Sequence, residues 1–65
     1  MMQNFIIKGD VYTANIWKEH NLYLAKCPEL NTTSQGKTIK TARLNLQEIS
    51  RLFLEQNEIK ENEDD

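Results

Sequence analysis

The sequence predicts an α+β domain: a three-stranded antiparallel sheet, with room for a fourth strand, and one long helix packed on one face. Three observations carry this. Two strand-like runs, 11–17 and 22–27, flank a short polar segment, the spacing of an antiparallel hairpin. A shorter run, 32–35, follows a turn that contains proline. Then Ile39, Ala42, Leu46, Ile49 and Phe53 recur at spacings of 3 and 4, which makes one apolar stripe along a helix.

The elements follow in order. Residues 5–17 read as extended chain, with Gly9-Asp10 as a break or bulge. Alternation puts Tyr12, Ala14 and Ile16 on one face and Val11, Thr13, Asn15 and Trp17 on the other. Lys18-Glu19-His20-Asn21 is a polar turn. In the next strand Leu22 and Leu24 share one side, and Tyr23, Ala25 and Cys27 share the other. Pro28 has no amide hydrogen for a ladder and ends that strand. Pro28-Glu29-Leu30-Asn31 turns the chain toward 32–35, and Gly36 permits a sharp exit. Thr38 is the natural N-cap. Thr41 stands three residues on, where a capping box would have Glu or Gln. No glycine or proline interrupts 38–55, so the helix should run for about 18 residues. Leu46 and Phe53 should pack on the sheet, and Leu44 falls almost opposite the stripe.

Sixty-five residues allow one domain, and a thin one. Folding such a chain hides roughly 60% of its surface. At ~25 cal/mol/Å² the apolar share yields on the order of 95 kcal/mol. Ordering the chain costs nearly the same, at about 1.5 kcal/mol per residue. One cysteine, Cys27, rules out a disulfide within the chain, and one Cys with one His gives no metal site. No cofactor is expected. The supplement should therefore be self-association, as a homodimer or tetramer, or a partner. The expected contact is the uncovered sheet face with Val11, Thr13 and Trp17, together with Leu44. No apolar run approaches the ~20 residues of a membrane span, and no signal-peptide pattern opens the chain. A lone thiol suits the reducing cytoplasm.

Charge is uneven. Net charge is −2, but residues 55–65 hold six acids and one base. Residues 1–54 hold seven bases and four acids. The reading is a domain over 1–56 and an acidic, disordered tail over 57–65.

No catalytic motif emerges. Gly36-Lys37-Thr38 before a helix lacks the earlier glycine of a phosphate-binding loop, since Asn31 stands there. His20 lies in a turn, and its neighbour Glu19 points the other way on extended chain. Cys27 reads as a small buried hydrophobe. Asp10, Glu19, Glu29 and Glu48 are scattered, whereas two-metal chemistry needs converging acids. Lys37, Lys40, Arg43 and Arg51 make the helix basic, a footprint for nucleic acid, but no recognised reader motif accompanies it.

The run Leu22-Tyr23-Leu24-Ala25-Lys26-Cys27-Pro28-Glu29-Leu30 resembles the strand-and-turn segment of HicB-like antitoxins. Ser34-Gln35-Gly36-Lys37-Thr38 is similar to their helix start. Ala42, Asn45-Leu46, Glu48 and Leu52-Phe53-Leu54-Glu55 are similar to their main helix. The resemblance spans about residues 11–55. It implies a partial RNase H-like unit without nuclease activity, which binds and blocks a small RNA-cleaving toxin of the HicA type. DNA binding in that family belongs to a C-terminal domain with no counterpart in these residues, so it is not expected. The chain departs from the pattern at His20-Asn21, where Asp-Gly is common, and at Lys40 and Thr41, where acids stand. Arg43 also takes an apolar position, with Leu44 one place later. The expected function is thus non-enzymatic: an antitoxin-type protein that covers a toxin. The alternative is an oligomeric nucleic-acid-binding or regulatory protein that uses the basic helix.

Overall fold

The computed structural model describes the backbone of residues 1–63 and the side chains of residues 1–57. Four strands, β1 (Met2–Ile7), β2 (Asp10–Glu19), β3 (Leu22–Cys27) and β4 (Thr32–Gly36), precede one helix, α1 (Ile39–Glu63). The sheet is a meander in the order β1-β2-β3-β4, with every neighbour antiparallel. The α+β class, the antiparallel sheet and the packed helix are as expected, and the fourth strand forms.

That strand comes from the start of the chain. Gly9-Asp10 is no bulge: Ile7 pairs with Asp10, so Lys8-Gly9 is a two-residue hairpin turn. Lys8 (φ 51°) and Gly9 (φ 84°) both take positive φ, as a turn that matches strand twist requires. The expected turn 18–21 shrinks to His20-Asn21, because Glu19 pairs with Leu22, and His20 takes φ 55°. Asn31, at φ 56°, closes the longer turn before β4.

Alternation then decides the core. Phe5, Ile7, Ala14, Ile16, Ala25 and Cys27 point from the sheet toward α1, and Ala42 and Leu46 answer from the helix. Phe5 and Tyr12 sit opposite each other on β1 and β2, and their rings stack 5.7 Å apart. Gly36 is required for space, not for its φ. A Cβ there would come within 2.7 Å of the Ala42 nitrogen and 2.9 Å of Thr41 Cγ2. Thr38 caps the helix as expected: the Thr41 amide donates to Thr38 Oγ1 at 3.0 Å.

The helix face differs from the expected stripe. Ile39, Ala42 and Leu46 do face the sheet, but the next fully buried residue is Ser50, followed by half-buried Leu54. Ile49 and Phe53 are 40% and 39% exposed, so Phe53 is not a core residue. The contact follows the row 42, 46, 50, 54, a spacing of four throughout. Such rows lie oblique to the helix axis, and a helix that crosses a twisted sheet meets it along one. Ser50 can be buried because its hydroxyl pairs with that of Thr32 at 2.7 Å. Ser34 Oγ donates to the Ala42 carbonyl at 2.7 Å. Asn45 donates to the Gln35 carbonyl of β4, and Gln47 to the Ile6 carbonyl of β1, so opposite flanks of α1 are tied to opposite edges of the sheet.

Helical backbone continues to Glu63, past the expected end at Glu55. The side chains of the expected acidic tail from Glu58 onward, and all of Asp64 and Asp65, lie outside the described residues. No helix of the described chain is long and apolar enough to cross a membrane.

Candidate functional site

The surface opposite α1 is open sheet. Register places Ile6 directly across from Val11, and Trp17 directly across from Leu24. Ile6 and Val11 are 58% and 62% exposed. Cross-strand partners on one face lie ~5 Å apart, so each pair is a contiguous apolar step. Val11, Thr13 and Trp17 therefore share one face, as the alternation of β2 requires. Leu44 does not join them. It sits two residues from both Ala42 and Leu46, which are fully buried, so it points away from the sheet.

Thr13 has a different task within that face. Its amide points toward β3, where the next ladder position is Pro28 and no strand continues. The Glu29 carboxylate takes the place of the missing strand. It accepts from the Thr13 amide at 3.1 and 3.2 Å and from the Thr13 hydroxyl at 2.7 Å. These donors hold the Glu29 carboxyl down to about 2, the Thr13 hydroxyl foremost. Cys27 Sγ donates to the same carboxylate at 3.4 Å. Burial first, and the adjacent Glu29 charge with it, push the Cys27 thiol up. A thiol so placed stays protonated and is a poor nucleophile. The cluster closes the β3–β4 turn onto β2. The sequence carried no local sign of it, since Thr13 and Glu29 are sixteen residues apart.

A second surface runs along the free side of β4. A groove of about 560 Å³ lies there, lined by Trp17, Leu24, Ser34, Gln35, Asn45 and Ile49 among others. Sequence reasoning missed it because it took Ile49 as core.

The basic helix is less basic than its composition. Arg51 meets Glu48 at 2.5 Å and Glu55 at 2.6 Å. Those hydrogen bonds, to Glu48 and then Glu55, raise its pKa. Lys18 lies 5.8 Å from the Tyr23 ring centroid. Among the described residues no three His, Cys, Asp or Glu side chains come together to hold a metal. Comparison with known protein families, with characterised proteins and with solved structures returns no match for this chain.

Proposed function

We infer that this chain is a non-enzymatic binding protein of the HicB-like antitoxin type, which covers the surface of a small RNA-cleaving toxin. The observation that carries this reading is the uncovered sheet face, with Ile6 and Val11 exposed side by side at one end and Trp17 exposed beside half-buried Leu24 at the other. Exposed apolar steps set among polar residues on so small a domain favour a protein partner. The order of motifs in the resemblance, and the meander-plus-helix architecture it implies, support the same reading.

The nucleic-acid alternative has less support. Arg51 is tied to two carboxylates, which leaves Lys37, Lys40 and Arg43 to supply the positive flank. The test is co-expression with the product of the adjacent gene, followed by capture and an RNA-cleavage assay. Stoichiometric capture and loss of cleavage are expected, with capture weakened by Val11→Lys or Trp17→Lys. Absence of capture, together with salt-sensitive nanomolar RNA binding lost on Lys40→Glu and Arg43→Glu, overturns the reading in favour of the alternative.

A further inference from the structure

The two rims of the sheet are not equivalent. Met1 and Ile16 exchange both backbone hydrogen bonds, at 2.7 and 2.8 Å, which fixes the phase of the whole meander. In antiparallel pairs, hydrogen-bonded and non-bonded positions alternate. Carried through the register, Thr32, Ser34 and Gly36 of β4 bond to β3, and Thr33 and Gln35 turn their backbone groups outward. Asn45 donating to the Gln35 carbonyl agrees with that phase. A carbonyl has a second lone pair, so Gln35 can still accept another donor.

An outward row of this kind is a template for another strand. Proteins usually protect such rims with charge, proline or a bulge, and β4 (Thr-Thr-Ser-Gln-Gly) has none of these. What lies above it matters as much. Asn45, Ile49 and Leu52 stand at i, i+4 and i+7, one flank of α1. Because Asn45 bonds to β4, that flank overlooks the β4 edge. Ile49 and Leu52 are 40% and 44% exposed on it. The opposite flank, with Gln47, overlooks β1 and bears no such pair.

We propose that β4 pairs with β4 of a second copy across a two-fold axis, and that the Ile49–Leu52 flanks of the two helices close over the joint. Three observations favour a second copy over a foreign strand. The edge is short and uncharged, so it meets itself without repulsion. The helix packs chiefly on β4 and β3. With strands ~4.8 Å apart, a two-fold at the rim sets the two helices about two strand spacings apart, the ~8–10 Å at which helices pack. A foreign strand would bring no helix and would leave Ile49 and Leu52 uncovered. The result is a continuous eight-stranded sheet with a helix pair on one face. A two-fold interface is self-complementary and closed, which is the commonest oligomer symmetry. Self-association through β4 leaves the far end of the open face, with Ile6 and Val11, free for the partner inferred above.

Sedimentation of the full chain from low to high micromolar concentration tests this, with hydrogen exchange on the same samples. A species of twice the monomer mass is expected, and the Thr33 and Gln35 amides should be protected in it and lose protection on dilution. Thr33→Pro removes only an outward amide, and should weaken the dimer at least about tenfold with the circular dichroism spectrum kept. Leu52→Glu, on the solvent side of the helix, should do the same and decides the matter if Thr33→Pro fails to fold. Val11→Lys should leave the dimer unchanged. A monomer at all concentrations overturns the proposal. So does a dimer lost on Val11→Lys but kept in Leu52→Glu, or a dimer whose Thr33 amide exchanges freely. Protection of Thr33 in a monomer only when a different protein is added also overturns it.

Discussion

The buried hydroxyl pair between Thr32 and Ser50 gives a sharp test of how the helix sits. Both residues are buried, Ser50 completely, and their oxygens lie 2.7 Å apart across the β4–α1 contact. Ser50→Ala removes one partner and leaves the Thr32 hydroxyl without another, which costs about 1–3 kcal/mol. Thr32→Val should cost less. A serine inside a helix can turn its hydroxyl to the carbonyl four residues back, so Ser50 has a fallback in Leu46 that Thr32 lacks. The double variant Thr32→Val with Ser50→Ala leaves nothing unsatisfied and should lie within about 1 kcal/mol of wild type. The coupling is then about 1–2 kcal/mol, within the range for contacting residues. A domain of this size holds roughly 3–10 kcal/mol in total, so each single variant shifts the transition visibly. The assay is urea unfolding followed by far-ultraviolet circular dichroism, at one protein concentration because association adds apparent stability. With a slope near ~1 kcal/mol/M, the Ser50→Ala midpoint should fall by about 1–3 M. Strict additivity, to within about 0.3–0.5 kcal/mol, would mean that the two hydroxyls do not meet and that the helix is seated on another row.

Four further outcomes are expected. Leu46→Ala, at a site with no exposure, should cost about 2–5 kcal/mol. Phe53→Ala in dilute monomer should cost less than about 1 kcal/mol, and equal losses in calorimetry would restore Phe53 to the core. Gly36→Ala drives a methyl to within 2.7 Å of the Ala42 nitrogen and should cost about 1–3 kcal/mol, read as a lowered melting temperature. Glu29 titrates near 2 in the folded chain against 4.5 ordinarily, so its contribution is complete above about 4.5 and fades as pH falls toward 2. Melting curves of Glu29→Gln and wild type should therefore differ at neutral pH and converge near pH 2, whereas parallel curves across that range would show that the Thr13 clamp adds no stability.

The sequence by itself determined what depends on near neighbours. Alternation in β2 separated Val11, Thr13 and Trp17 from Ala14 and Ile16, because the strand repeat is two residues whatever lies across from it. Pro28 stopped β3 and Thr38 started α1 through backbone chemistry that needs no tertiary partner. The class of fold followed from those signals and the helical spacing. Tertiary structure decided the rest. A 3.6-residue period shows which side chains share a side of a helix, but the crossing angle with a twisted sheet selects the row that is buried. That angle exchanged Ile49 and Phe53 for Ser50 and Leu54, and it set Ile49 beside Leu52 over a free strand edge. The Glu29–Thr13 clamp also lay beyond local reading, because a carboxylate sixteen residues from its donors fills a ladder position only after proline has broken the ladder.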